Sequence, residues 1–330
     1  MCQHHVGKAS DVNGDVREWD AQREAEAFLF NYPVRRAKGE GDPYEFYRQE
    51  LLMAKAMGEA VARLIPAVLE EFNRQVGLDL PTTEREVSTQ VVSIVRPARK
   101  ASRLNIRNIL SALSDILLGA WSREAERTVA ELITQIVNMG VERAGVFDKL
   151  ELVPSRPTIE QGLVNSAKYY TNEYFNRIVM PAIYGNAMAK LDGETDINDD
   201  FFWELRETLD RRLRSVPYWR LVAQQSASRA YHYGLARAGL SRGRTAYRLD
   251  ATLDERTTDV CRTLDGKTFW LADAVEHLEH IATTPPQYIA EEDPWIEYHV
   301  VAGATNEELA AARIITPPFH AHCRTTMFLI

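Results

Sequence analysis

Apolar positions recur at spacings of three and four from about Val16 to Gly239, which predicts a body built from amphipathic helices. The clearest segment runs from Tyr44 to Val76, with Pro43 at its start and Gly77 just past its end. Leu52, Met53, Ala56, Ala60, Leu64 and Val68 form its apolar face. Pro66 lies inside that run and predicts a break near Leu64, because its ring clashes with the carbonyl four residues back. A second helical block spans Pro97 to Val146, with Leu104, Ile109, Leu113, Ile116 and Leu117 at helical spacing and Gly119 and Gly140 as candidate breaks. Prolines at 154 and 157 mark a linker near residues 151–158. The next helix is expected to start at Thr158 as N-cap, with Gln161 in the capping-box position, and to bend at Pro181. Tyr169, Tyr170, Tyr174 and Phe175 are too crowded for one buried stripe, so some should face a neighbouring subunit or helix.

Beyond Arg248 the long helical pattern gives way to short segments. Asp265-Gly266-Lys267 reads as a turn between two short strands, with Gly266 at positive φ. ADAVEHLEHIA reads as a helix carrying His277 and His280 on an exposed face. The expected architecture is a mainly α N-terminal body over residues 1–245, followed by a small α+β C-terminal domain over 246–330.

Composition narrows the function classes. A net charge of -8 over 330 residues argues against a protein whose whole surface grips nucleic acid. Three cysteines are too few for a disulfide scaffold and point to synthesis inside a cell. No apolar run reaches the roughly 18 residues of a membrane span, so no membrane partner is expected. The charge is unevenly spread: residues 203–248 hold ten arginines and three acidic residues, a local +7, which leaves -15 for the rest of the chain. Arg211, Arg212 and Arg214 are the densest part of that segment. Arg99, Arg103 and Arg107 form a second stripe, four residues apart on one helical face. Both stripes are candidates for contact with phosphate or with an acidic protein. The acidic loop Asp192 to Asp200 offers them an alternative partner within the chain, and it lacks the ligand spacing of a calcium loop.

The candidate chemistry lies near the C-terminus. Cys261 and Cys323 are two of the three cysteines, and His320 and His322 stand beside the second, after the stiff Pro317-Pro318 pair. Cys261, His320 and Cys323 could supply three soft ligands to Zn²⁺, with His322 or Asp254 as candidate fourth ligand. A Cys261–Cys323 disulfide and a pair of buried, reduced thiols are the other readings of the same residues. Phosphate-cradling glycine loops, H-E-x-x-H and G-x-S-x-G are absent from the sequence.

Two blocks in this region resemble the head morphogenesis domain of phage Mu F-like minor head proteins. The first is Asp254, Arg256, Thr257, Cys261, Leu264, Asp265, Gly266, Lys267 and Phe269; the second is Pro317, Pro318, His320, Cys323 and Arg324. The segment WRLVAQQSASRAYHYGLARAG resembles the helix that precedes the domain in the family, with Gln225-Ser226-Ala227 where Arg-Thr-Glu is frequent. Family members with further cysteines carry them where this chain has Thr258 or Asp259 and Thr325. The resemblance implies a structural or accessory minor head protein, not an enzyme, acting in head assembly and DNA packaging or ejection near the portal. It implies portal and other head proteins as partners, viral DNA as a further candidate, and residence in the virion after synthesis in the host cytoplasm. Two other classes remain open on the residues themselves. One is a zinc-dependent hydrolase or nuclease, with Asp254, Asp259 or Glu255 as base. The other is a DNA-binding module built on residues 203–248.

Overall fold

In the computed structural model, one buried helix collects most of the others around it. The structure describes residues 46–76, 123–145, 156–192, 199–213 and 216–330, with isolated positions between 108 and 119. Its helices are α1 (Tyr47–Ala62), α2 (Leu64–Val76), α3 (Arg123–Arg143), α4 (Arg156–Tyr174), α5 (Met180–Asp192), α6 (Asp199–Leu213) and α7 (Val216–Ser241). The C-terminal part continues with β1 (Ala246–Asp250), α8 (Asp259–Leu264), β2 (Thr268–Trp270) and α9 (Leu271–Thr283). It ends with three short helices, α10 (Ile289–Glu292), α11 (Tyr298–Val301) and α12 (Asn306–Ala311), and with β3 (Thr326–Leu329). The described chain is therefore mostly helical, with a small antiparallel sheet near its end. Among the described residues, no helix is long and apolar enough to cross a membrane.

The central helix is α7, against which α3, α1, α9 and α4 all pack. Small buried residues (Ala223, Ala227, Ala230, Ala236 and Ala238) are spread along it, as expected of a helix covered on every side. Two glycines let α3 and α7 meet backbone to backbone. A Cβ at Gly140 would stand 2.1 Å from the Tyr231 carbonyl oxygen, and one at Gly234 would stand 2.1 Å from that of Val137. Gly140 was an expected break, yet α3 runs through it to Arg143. The glycine serves a helix contact and not a helix end.

Other local expectations meet their physical causes. The first long segment does divide, at Arg63, which puts Pro66 in the first turn of α2 where its missing N–H needs no partner. α4 begins at Arg156, two residues before the expected cap. Ahead of Pro181 the helix widens into a π-turn over Phe175–Val179, and the Met180 N–H bonds the Phe175 carbonyl five residues back. Tyr174 and Phe175 are buried; the Tyr174 ring stacks on Tyr218 at 4.2 Å and meets Trp219 at its edge. The acidic loop at 193–198 and the stripe Arg99, Arg103 and Arg107 lie outside the described residues.

The sheet has strand order β2-β1-β3, antiparallel throughout. Tyr247, Leu249, Phe269 and Met327 are buried on its inner face, while Arg248, Trp270 and Phe328 alternate outward. The Tyr247 hydroxyl donates to the Ile315 carbonyl at 2.6 Å and so ties the central strand to the loop that leads to His320. Asp265-Gly266-Lys267 is a turn with Gly266 at φ 77, but it joins α8 to β2 and does not join two strands. His277 is buried in α9 with its Nε2 3.7 Å from Asp293 Oδ1, not displayed on an exposed face.

Candidate metal centre

Three elements build the site. α8 opens with Thr258 as N-cap, its hydroxyl accepting the Cys261 N–H, which fixes Cys261 in the first turn. The loop after Pro318 carries His320 and Cys323 and runs directly into β3. Behind that loop stands α7: Gln225 Nε2 donates to the His320 carbonyl at 3.4 Å, and His322 Nδ1 lies 3.0 Å from Gln224 Oε1.

The ligand atoms of Cys261, His320 and Cys323 all lie within 4.8 Å of one another, with both cysteines buried. The two sulfurs are 3.8 Å apart and the thiols are free, so the residues do not form a disulfide here. Two thiolates on one tetrahedral Zn²⁺, each at about 2.3 Å, would be separated by about 3.8 Å. His320 Nε2 lies 3.0 Å from Cys261 Sγ and 2.9 Å from Thr258 Oγ1. Its other nitrogen, Nδ1, donates to the Ala321 carbonyl at 2.6 Å. That bond sets the tautomer and aims the Nε2 lone pair at the sulfurs, the usual support of a metal-binding imidazole. The donor set therefore fits a soft divalent ion, although Cys261 and His320 sit about 0.5 Å closer than such an ion would hold them.

Electrostatics point the same way. The Cys261 thiol is pulled well below its ordinary range, first by a hydrogen bond from Cys323 and then by His320, against the effect of burial. Cys323 is pushed up by burial and by the neighbouring Cys261 charge. Burial opposes protonation of His320, yet the hydrogen bond and charge of Cys261 raise it. The electrostatics thus favour a Cys261 thiolate that accepts from His320 Nε2–H and from the Cys323 thiol, and a bound ion would take the place of those protons.

The other residues marked in the sequence lie elsewhere. Asp254 is engaged by Arg324 through both carboxylate oxygens, with Arg324 Nη1 to Oδ2 at 2.6 Å, and Arg256 Nη2 lies 3.6 Å from it. His322 belongs to the α7 contact and is held neutral, down to about 4, by burial first and then by the charges of Arg220 and His320. In the arginine-rich segment, Arg220 and Arg229 are buried and paired with Glu50 at 3.3 Å and Asp293 at 2.7 Å. Arg211 lies 3.9 Å from Glu207, one turn away; Arg212 is partly exposed; Arg214 falls outside the described residues. The sequence marks Thr258, Thr325 and Gln225 only as departures from the family's pattern, the two threonines standing where relatives carry cysteines and the glutamine where they have arginine. Gln224 carries no such mark.

Residues 200–328 match the family model of phage Mu protein F like protein. This part of the chain is therefore similar to the family that its two motif blocks resemble, and the match contains all three converging residues. No curated protein and no solved structure matches the chain.

Proposed function

We propose that the chain is a minor head protein of a tailed phage or phage-like particle, acting in head assembly and in DNA packaging or ejection near the portal. The observation that carries this reading is the family match over residues 200–328, which encloses the Cys261, His320 and Cys323 cluster. Its partners are the portal and other head proteins, and its place is the portal vertex or the head interior. The proposed boundary between helical body and C-terminal module, at residue 245, falls in the turn between α7 and β1. Purified particles should contain the chain, and it should co-purify with portal rings. Particles that lack the chain altogether would overturn the reading.

Within that role the cluster holds one Zn²⁺, which clasps the start of α8 to the loop before β3. Metal analysis should find about one zinc per chain, and Cys323→Ser should lose it. Because an ion bound only by the folded state stabilises it, free zinc at about a thousand times its Kd adds about 4 kcal/mol. Chelation should accordingly lower the Tm of the wild type and leave that of Cys323→Ser unchanged.

The arginine-rich segment docks on an acidic protein surface in this reading. Two of its arginines are already committed to buried pairs, which leaves fewer to track a phosphate backbone. Replacing Arg211, Arg212 and Arg214 with Gln should slow association with the portal and leave affinity for duplex DNA unchanged. If the segment instead bound DNA, the salt slope of binding would fall by about 0.9 for each phosphate contact removed.

A further inference from the structure

Three ligands would fill three corners of a tetrahedron around a bound ion, and the pocket beside them is lined by polar side chains. We propose that a metal ion held by Cys261, His320 and Cys323 keeps an exchangeable fourth position, taken by a water, a hydroxide or a small anion beside Thr258 and Thr325. This inference rests on the zinc reading of the cluster and specifies which kind of zinc site it is.

The side chains that would close the site have other partners. Both Asp254 oxygens face Arg324, and His322 reaches Gln224 on α7 from a backbone turned to φ 57. Among the described residues, no further Cys, His, Asp or Glu joins the cluster. Instead Cys261 and His320 border a small pocket whose remaining walls include Thr258, Thr325, Arg256 and Arg324. The Thr325 hydroxyl is the second, independent sign. It is buried next to the Cys261 sulfur, which it helps to hold as a thiolate, and it has no nitrogen or oxygen partner. A sulfur is a weak acceptor for a buried hydroxyl, and a ligand in the fourth position supplies a better partner. Arg256 and Arg324 both line this pocket, and their guanidinium groups favour an anionic occupant. A structural zinc site is closed by four protein ligands, whereas three ligands and a solvent position make an exchangeable one.

The test uses the full-length chain with its metal replaced by Co²⁺. One ion per chain, with thiolate-to-cobalt charge-transfer bands, is the expected starting state. Azide added to it should shift the ligand-field bands along a saturating curve. X-ray absorption should find two sulfurs, a single imidazole and one further light atom around the metal. Thr325→Val should still bind one cobalt per chain but hold azide about fivefold more weakly, as loss of a single hydrogen bond implies. Bands that ignore azide, or a second imidazole on the metal, would overturn the open position while leaving the metal site standing. Failure to take up either cobalt or zinc would overturn both. Equal azide affinity in Thr325→Val would remove Thr325 from the site.

Discussion

Gly140→Ala is expected to destabilise the protein by about 3 kcal/mol or more, a large effect for a single methyl group. The added Cβ would stand 2.1 Å from the Tyr231 carbonyl oxygen and 2.7 Å from the Leu235 nitrogen, both backbone atoms of α7. No side-chain rotation can relieve such a clash; the helices must separate. Separation is costly here because α7 is the helix on which α1, α4 and α9 also pack. Urea unfolding should show the loss as a lower midpoint. Gly185→Ala supplies the contrast. It lies in α5 with nothing within 4 Å of the added atom, so the helix-forming advantage of alanine should leave stability equal or higher by about 0.5–1 kcal/mol. Equal behaviour of the two variants would refute the close contact of α3 and α7.

Arg220→Met should cost about 3–5 kcal/mol near pH 8, because it leaves the buried Glu50 carboxylate without its cation. The pH dependence identifies the cause. In the folded protein Glu50 is raised from 4.5 to about 7, mainly by burial, with Arg220 acting to lower it. Removing Arg220 raises it further, so the folded variant binds this proton still more tightly than the unfolded chain does. Stability present below about pH 4.5 is then lost as the pH rises through 7 and beyond. The gap between variant and wild type should therefore narrow at pH 5 and widen at pH 8, as read from thermal unfolding. Adding Glu50→Met to Arg220→Met should recover most of the loss, since a buried ion pair can give way to apolar residues of similar volume. A penalty that is the same at pH 5 and pH 8 would assign the effect to packing alone.

Much of the local structure is legible in the chain. Pro66 marks the break between α1 and α2, and the helix containing Pro181 changes its hydrogen bonding one turn earlier, because a missing N–H acts only on its own turn. The convergence of Cys261 with His320 and Cys323 is legible too, through two motif blocks that make sense only when brought together. Gly140 is illegible in the same way that Pro66 is clear. A glycine within a helical pattern reads as an end or as a contact depending on what lies opposite, and here that is Gly234 and its neighbours, more than ninety positions along. The all-round burial of α7 erases the periodicity that would have marked it as the centre of the bundle.

What the order of residues settles, then, is whatever a side chain decides within one turn of itself: the helical body, its proline breaks, the short C-terminal strands, and the three residues able to bind a soft metal. The fold decides pairings across long separations, such as Glu50 with Arg220, His277 with Asp293, and Gln224 with His322. It also decides which candidate ligands are diverted: Asp254 to Arg324, and His322 to α7. The reason is physical. A local preference depends on dihedrals and hydrogen bonds a few residues apart, whereas burial and ligand geometry depend on the register of whole helices. That register is set by close contacts, like the one at Gly140, whose two halves carry no mark of each other until they meet.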